Sequence, residues 1–241
     1  MKAILIIQAR MGSSRLPGKV LLPLGDTIVL DYVVSRSRLI NGVSEVIVAT
    51  SDREQDQSIA DWCAINAVTC FRGSEDDVLN RFIQAADPYQ PDYIFRVTGD
   101  SPFLDYELAN LMMMRIRKES ADLVVLKGGH VLGSAVELIT YRALKYIDAN
   151  GLETRHREHV TYYAYENPEA FRLTDVTVPE ELRHAELRIT LDTPEDYRML
   201  KEAAARHAND PLVPTRKVVQ FLLRHPEVAY INAHIRQKPV V

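Results

Sequence analysis

Short apolar runs alternate with longer amphipathic segments through the first half of the chain, and this rhythm restricts the possible folds. The runs, which are β-branched and too short for helices, lie at 3–7, 46–50, 93–97 and 122–126. Each predicts a buried strand. The segments that follow the helical pattern lie at about 28–40, 54–67, 77–87 and 105–119. Strands that alternate with helices form right-handed βαβ units, so we expect an α/β fold with three layers and a mostly parallel sheet.

The rhythm changes after residue 127. A glycine-rich loop is followed by helical patterns at about 140–149 and 155–166, and by strand patterns at 171–178 and 187–191. The run from Asp192 opens another helix, and a last one is expected at 214–224. The 241 residues suit one large domain better than two equal ones. We therefore predict a single domain, 1–241, with an inserted lobe at 128–186 and a return to the main sheet at 187–225.

Composition excludes several classes of protein. The formal net charge is −4, without the basic excess that nucleic-acid or membrane-surface binding demands. No apolar run approaches the roughly 20 residues of a membrane span, and the first strand does not lead into a cleavage site of small residues. Cys63 and Cys70 are the only cysteines, which favours reduced thiols and a cytoplasmic protein. Arg36 and Arg38 are expected on a solvated helix face.

The loop after the first strand, residues 8–19, carries the strongest functional pattern. The first 25 residues contain four cations and no acid, namely Lys2, Arg10, Arg15 and Lys19. Gly12 and Gly18 allow close approach of the backbone to a ligand, and Ser13 and Ser14 add hydroxyl donors. Because ligands bind beyond the carboxyl ends of parallel strands, these groups suit a triphosphate. The loop matches neither the Walker A pattern nor Gly-x-Gly-x-x-Gly.

Two aspartates follow later strands directly. Asp100 lies in the turn Thr98–Pro102, and Asp192 begins the run Asp192–Asp196. A carboxylate in such a place is a good ligand for Mg²⁺, which takes one or two carboxylates together with substrate phosphates. Asp100 is equally consistent with a turn that starts the next helix, and Asp192 with a helix N-cap, a role that does not exclude metal binding.

Together these segments resemble a known family. The run Ile7–Lys19 is similar to the signature loop of the CMP-sugar-acid synthetases, and most of all to that of the SpsF-type cytidylyltransferases of spore-coat and surface polysaccharide synthesis. The other matching segments, in order along the chain, are 71–81, 98–102, 157–161 and 192–196. This resemblance implies a glycosyltransferase-A-like nucleotide-binding fold, CMP transfer from CTP to a sugar acid or related acceptor, a homodimer and Mg²⁺ as cofactor.

The same resemblance implies roles for individual residues. Arg10, Lys19, Asp100 and Asp192 are the expected catalytic residues, and the two aspartates are the expected metal ligands. The expected nucleotide-binding residues are Ala9, Arg10, Gly12, Ser13, Arg15, Lys19, Arg72, Ser74, Asp77, Arg81 and Thr98. The expected acceptor-binding residues, in or beside the lobe, are Glu137, Arg157 and His159. Relatives often carry an aspartate where this chain has Ala135, which leaves the acceptor open.

Two other functions compete with this interpretation. A glycosyltransferase that uses a nucleotide-sugar donor would want an Asp-x-Asp motif after a strand, whereas Asp100 precedes Ser101 and Pro102. A nucleotide-binding module without turnover is favoured only by Ala135, and the joint presence of four catalytic-type residues argues against it.

Overall fold

A seven-stranded sheet runs through the centre of the structure, a computed structural model that describes residues 1–237. The strands are β1 (Ala3–Gln8), β2 (Pro23–Leu24), β3 (Thr27–Ile28), β4 (Val43–Ser51), β5 (Thr69–Gly73), β6 (Tyr93–Thr98), β7 (Leu123–Lys127), β8 (Glu137–Thr140) and β9 (Leu173–Thr177). The helices are α1 (Val29–Ser37), α2 (Gln57–Ile65), α3 (Val78–Ala86), α4 (Tyr106–Lys118), α5 (Tyr141–Asn150), α6 (Thr154–Glu158), α7 (Tyr162–Glu166), α8 (Pro194–Arg206), α9 (Thr215–Arg224) and α10 (Pro226–Ala229). None of the helices within residues 1–237 has the length and apolar character that a bilayer crossing demands.

The strand order of the main sheet is β5-β4-β1-β6-β8-β7-β9, and β2 and β3 form a separate small hairpin. Only β8 runs against the others, since its pairings with β6 and β7 are antiparallel and all remaining pairings are parallel. The carboxyl ends of β1, β4, β5 and β6 therefore meet at one edge of the sheet, where a ligand is expected.

Helices cover both faces of the sheet because the central strand is apolar on both sides. In β1, Ala3, Leu5 and Ile7 face one core, and Ile4 and Ile6 face the other. The first core is closed by α1, α2, α4, α8 and α9, and the second by α3, α5 and α7. The prediction of an α/β fold with three layers and a mostly parallel sheet is confirmed.

The predicted helices of the first half are all present to within a few residues, but two predictions for the second half are wrong. The helix expected at 155–166 is interrupted between α6 and α7, where Val160 and Thr161 turn inward and are buried. The strand expected at 187–191 is an extended segment with one bridge, Leu132 to Arg188. Its neighbour turns away at Gly133, whose φ of 94° and contact with the Thr190 backbone leave no space for a side chain.

The segment 128–186 is joined to the sheet more closely than a lobe would be. It supplies β8 and β9 to the main sheet, whereas the following segment, 187–225, supplies none of the seven strands. Strand β8 was not predicted, because its four residues, Glu137–Thr140, lie directly against the start of α5 without a turn signal. Cys63 is buried and Cys70 half-buried, and both are free thiols.

Arg36 corrects the expectation of a solvated helix face, since its side chain is completely buried. Its guanidinium donates to the carbonyls of Leu104 (2.8 Å), Pro211 (2.9 Å) and Val213 (2.7 Å) and to the hydroxyl of Thr215 (2.7 Å). Burial lowers the pKa of Arg36 to about 10. Arg36 thus ties α1 to the turn before α4 and to the segment that leads into α9.

Replacement of Arg36 by methionine is expected to lower the free energy of unfolding by about 3 kcal/mol, because three carbonyls and a hydroxyl lose their donor inside the protein. Urea unfolding followed by circular dichroism measures the change. Arg38→Met, at the residue that directly follows α1, is the control and is expected to change stability by less than about 0.5 kcal/mol, because Arg38 is exposed. Equal losses in the two variants would contradict the role given to Arg36.

Candidate active site

Three side chains from distant parts of the chain meet at the carboxyl edge of the sheet. The Lys19 ammonium donates to Asp100 Oδ2 at 2.6 Å and to Asp192 Oδ1 at 2.8 Å. All three are largely buried, with side-chain exposures of 12% for Lys19, 23% for Asp100 and 13% for Asp192. Arg15 approaches the same Asp192 oxygen at 3.1 Å. Asp100, which follows β6, and Asp192, which follows the segment 187–191, are thus brought to one point.

Backbone hydrogen bonds place these residues. The loop after β1 closes when Gly18, with a φ of 69°, donates to the Met11 carbonyl at 3.0 Å, and Lys19 then begins a short 3-10 turn. Asp100 follows Gly99, whose N–H donates to the Gln8 carbonyl at 2.8 Å. A side chain at Gly99 would lie only 3.1 Å from the Ala9 Cβ, so these two small residues let β1 and β6 end side by side.

The capping alternatives for both aspartates are resolved by their neighbours. Thr193 is the N-cap of α8 and forms a capping box with Asp196, while Asp105 caps α4. The carboxylates of Asp100 and Asp192 are therefore not engaged as helix caps. The Leu191 N–H donates to the Asp100 carbonyl at 2.8 Å, which holds the two aspartate turns together.

At this cluster, attraction between opposite charges changes the pKa values of the side chains more than burial does. Burial alone would lower the pKa of Lys19, but attraction to Asp100 and Asp192 raises it above its ordinary value. Burial would likewise raise the pKa of Asp192, but Lys19, Arg15 and Arg188 lower it. Lys19 is therefore a fixed cation and Asp192 a fixed anion at neutral pH.

The rest of the loop after β1 is held by hydrogen bonds at Met11 and carries an exposed arginine. The Met11 N–H donates to Asp56 Oδ1 at 2.7 Å, and buried Asp56 in turn accepts from the Ser51 hydroxyl. Ser13 turns back through its N–H to the Met11 carbonyl at 2.9 Å. Arg10 is 43% exposed, and among residues 1–237 its one ion pair is with Glu158, at 3.5 Å. Its charge is thus available to a ligand.

The block 72–81 lies beside this loop. Gly12 is close enough that a side chain there would meet Glu75 at 3.2 Å. Arg81 is almost fully buried, donates to the Ser74 carbonyl at 2.6 Å, and has no partner for Nε within the described part of the chain. Burial, and then the nearby charge of Arg10, lower its pKa. The charges of Arg10 and Arg81 are therefore close enough to act on each other.

Other predicted nucleotide-binding residues serve the local structure. Arg72 donates to the carbonyls of Ser51 (3.0 Å) and Arg53 (2.8 Å) and ties β5 to the loop after β4. The Asp77 carboxylate caps α3 by accepting from the Asn80 N–H at 2.9 Å. The Thr98 hydroxyl lies 3.1 Å from that of Ser101, in the turn that carries Asp100.

The predicted acceptor-binding residues do not form one group. Glu137 accepts from Arg96 (2.6 Å), from the Thr161 hydroxyl (2.8 Å) and from the Tyr165 hydroxyl (3.2 Å). Burial opposes its charge, but Arg96 and these donors lower the pKa of Glu137. This half-buried group stands beside β1, since Arg96 also donates to the Gln8 side chain at 3.0 Å.

Arg157 lies in α6, and His159 follows that helix directly, at the start of the break before α7. Arg157 donates to both oxygens of Asp77 at 2.9 and 2.7 Å and pairs with Asp148 at 2.7 Å. Burial lowers the pKa of His159, which is also influenced by the charges of Glu158 and of Arg96. The charges of Glu137 and Arg10 also act on the His159 ring. Arg157 is committed to Asp77 and Asp148.

Two arginines at the site were missed by reasoning from the sequence. Arg188 donates to Asp192 Oδ2 at 2.5 Å, and Arg96 holds Glu137. Both stand in otherwise apolar extended runs, 187–191 and 93–97. A cation inside such a run is costly unless it has a buried partner, and this was the signal that could have revealed them.

A divalent cation fits this site only together with a ligand that supplies further oxygens. Among residues 1–237, no group of three or more His, Cys, Asp or Glu side chains could hold a metal. Asp100 and Asp192 accept from the same ammonium, so their carboxylates flank the position of a single cation. Two carboxylates completed by phosphate oxygens are a usual set for Mg²⁺.

Comparison with known proteins bears on these observations. The cytidylyltransferase family model matches residues 4–220. The spore coat polysaccharide biosynthesis protein SpsF of Bacillus subtilis is 36% identical over 231 residues, covering 94% of this chain and 96% of that protein. The 3-deoxy-manno-octulosonate cytidylyltransferase of Escherichia coli is 28% identical, covering 68% of this chain and 72% of that protein.

The fold is also found in solved structures. A cytidylyltransferase from Leptospira borgpetersenii superimposes with a TM-score of 0.88 and 29% identity, covering 99% of this chain and all of that one. The resemblance inferred from the loop and the aspartate turns is therefore confirmed, together with the class of fold that it implied. The roles of individual residues stay predictions.

The charge cluster is expected to make stability depend on pH. The pKa of Asp192 is lower in the folded protein than in the unfolded chain. The charged carboxylate therefore stabilises the fold at pH values above the unfolded carboxyl pKa of about 3.9. This stabilisation is lost as the pH falls through the pKa that Asp192 has in the folded protein. Asp192→Asn should therefore be less stable than wild type at pH 7, by about 1–3 kcal/mol, and the gap should close toward pH 3.

Urea unfolding from pH 7 down to pH 3 measures this gap. Asp61→Asn on the exposed face of α2 is the control and is expected to follow the wild type throughout. A gap for Asp192→Asn that stays constant over the whole range would show that Asp192 is not held as an anion by its three cations.

Proposed function

Because the chain belongs to the cytidylyltransferase family, we propose that it transfers CMP from CTP to a sugar acid or related acceptor used in surface polysaccharide or glycan synthesis. The transfer depends on Mg²⁺ and releases pyrophosphate. The observation that carries the proposal is the meeting of Lys19, Asp100 and Asp192 beside an arginine-rich loop at the carboxyl edge of the sheet.

The reaction replaces one phosphorus–oxygen bond with another. An acceptor hydroxyl oxygen attacks the α-phosphorus of CTP, the bond to the β-phosphate oxygen breaks, pyrophosphate leaves, and the hydroxyl proton passes to solvent. Asp100 and Asp192 would hold Mg²⁺, which would supply Lewis-acid stabilisation of the charge that develops during the transfer. Lys19, Arg15 and Arg10 neutralise the negative charge of the triphosphate and of the leaving pyrophosphate.

The nucleoside end of CTP lies toward the block 72–81 in this proposal. The exposed Arg10 and the buried Arg81, with its free Nε, supply positive charge on one side. Small residues at Ala9 and Gly12 allow the ligand to approach the backbone, and Ser13 and Thr98 offer hydroxyls. Arg72, Ser74 and Asp77 act by holding the block in shape, since their side chains are engaged within it.

The acceptor lies on the side of β8 and α6 in this proposal. The charges of Glu137 and Arg10 both act on His159, which supports an acceptor site in this neighbourhood. A carboxylate-bearing sugar bound there would meet Arg10, and its hydroxyls could donate to Glu137. Arg157 contributes by fixing the start of α3. Ala135 removes a carboxylate that relatives often carry, which favours an acceptor different from theirs.

A homodimer is part of the same proposal. The surface of segment 128–186 leaves large apolar side chains exposed, with Leu152 at 78% and Tyr146 at 45%. A second copy of the chain would cover these side chains, so we assign the contact between the two copies to this surface.

Thermal stability in the presence of each of the four nucleoside triphosphates tests the choice of nucleotide. We expect CTP to raise the melting temperature most, and Mg²⁺ to enlarge that shift, because a ligand bound only by the folded state stabilises it. CTP without metal and Mg²⁺ alone are the controls. No shift with any triphosphate, or a shift only with nucleotide sugars, would contradict the proposal and favour a glycosyltransferase.

Asp100→Asn tests the metal assignment. The change removes one charge without changing size, so we expect the rate of pyrophosphate release to fall by about 10²–10³ while the fold is retained. The assay uses CTP, Mg²⁺ and a panel of sugar acids that includes 3-deoxy-manno-octulosonate. Asp61→Asn is the matched control, since its carboxylate accepts only from Gln57 on the surface. Near-wild-type turnover by Asp100→Asn would rule out its assignment as a metal ligand.

A further inference from the structure

Arg188 lies behind Asp192 and divides its two oxygens between different partners. The Arg188 side chain is only 5% exposed and donates from Nη2 to Asp192 Oδ2 at 2.5 Å. The other oxygen, Oδ1, is the one that accepts from Lys19 at 2.8 Å and approaches Arg15. The carboxylate of Asp192 is therefore held from its buried side and presented from its outer side.

Asp196 holds Arg188 in turn. It is fully buried and accepts from Arg188 Nε at 2.8 Å and Nη2 at 3.1 Å, a two-pronged contact that fixes the plane of the guanidinium. Asp196 Oδ2 also accepts from the backbone N–H groups of Asp192 at 2.9 Å and Thr193 at 3.0 Å. One buried carboxylate thus fixes both the backbone of Asp192 and the group that grips its side chain.

The segment after α10 completes this arrangement. Asn232 is 3% exposed, and its Nδ2 donates to Asp196 Oδ1 at 2.8 Å and to the Arg188 carbonyl at 3.1 Å. Gln237 accepts from Arg188 Nη1 at 2.9 Å. A part of the chain without any recognised motif is thereby connected to the active site through buried polar contacts.

We propose that Arg188 is a positioning residue for the proposed reaction: locked by Asp196 and Asn232, it fixes the rotamer of Asp192 so that Oδ1 faces the cation and Lys19. The inference rests on the proposed function, because it takes Asp192 as a metal ligand. Groups that orient a ligating carboxylate typically change metal affinity 10–100-fold when they are altered.

The positioning role predicts that the ion pair between Arg188 and Asp192 affects cation binding, which a purely structural ion pair would not do. A structural bridge would affect stability alone, whereas a positioning residue affects how tightly the cation binds once CTP is present. A lysine at 188 keeps the charge but makes one directed contact in place of the fork. Arg188→Lys therefore separates orientation from charge.

The test measures the affinity of Mn²⁺ for the CTP complex by electron paramagnetic resonance, and of CTP alone by calorimetry in EDTA. We expect Arg188→Lys to weaken Mn²⁺ binding at least tenfold, with metal-free CTP affinity within about twofold of wild type. Arg183→Lys is the control, because the side chain of this exposed arginine bonds only the Val178 carbonyl among residues 1–237, at 2.7 Å. It should leave both affinities unchanged.

Asn232→Ala gives an independent variant that does not touch Asp192. It should weaken Mn²⁺ binding in the same direction, by about twofold or more, and should add little to Arg188→Lys in the double variant. His234→Ala, exposed two residues further on, is its control. If Arg188→Lys does not fold, Asn232→Ala decides the question.

The outcomes separate the two proposals. Wild-type Mn²⁺ affinity in folded Arg188→Lys, or in Asn232→Ala where the first variant does not fold, would overturn the positioning role and leave the proposed function standing. Failure of the wild-type protein to bind Mn²⁺ with CTP would overturn the proposed function, and the positioning role with it. Loss of Mn²⁺ affinity with CTP affinity retained would support both.

Discussion

The ammonium group of Lys19 joins parts of the chain that are far apart in sequence, and the geometry of the active edge depends on that junction. Asp100 and Asp192 follow separate segments of the fold, and each carries a charge that burial would penalise. Lys19 relieves both at once, with bonds of 2.6 and 2.8 Å. The cost of burying three charges is offset only because they meet, which makes the cluster sensitive to the position of each segment.

The sheet positions the ends of its strands closely enough for the three charged side chains to contact one another. The parallel pairing of β1 with β6 brings the ends of both strands to one level, and the small residues Ala9 and Gly99 let the following turns lie in contact. The turn at Gly133 releases segment 187–191 from the sheet so that Leu191 bonds Asp100 instead. If strand pairing continued through 187–191, the Leu191 N–H would bond a neighbouring strand instead of Asp100. Asp192 would then not be held beside Lys19.

Local patterns predicted much of this fold, because strand and helix periodicity depend on neighbouring residues. The alternation of apolar runs predicted the sheet. The resemblance of the loop and of the two aspartate turns to the CMP-sugar-acid synthetases predicted Arg10, Lys19, Asp100 and Asp192 as catalytic residues. The predictions that failed concern residues whose bonding partners lie far away in the sequence, and local patterns do not reveal such partners. Arg36 reads as a surface cation until its carbonyl acceptors are known, and Arg188 reads as a stray charge until Asp196 and Asn232 are seen beside it.

The central claim is that Asp100 and Asp192 hold one divalent cation with the phosphates of CTP. A crystal structure with CTP and Mn²⁺, in which anomalous scattering locates the metal, tests this most directly. We expect Mn²⁺ to lie about 2.1 Å from a carboxylate oxygen of each aspartate and from phosphate oxygens of CTP. We also expect the Lys19 ammonium to bond the triphosphate instead of the two aspartates. A metal held by the nucleotide alone, with both carboxylates still bonded to Lys19, would contradict it.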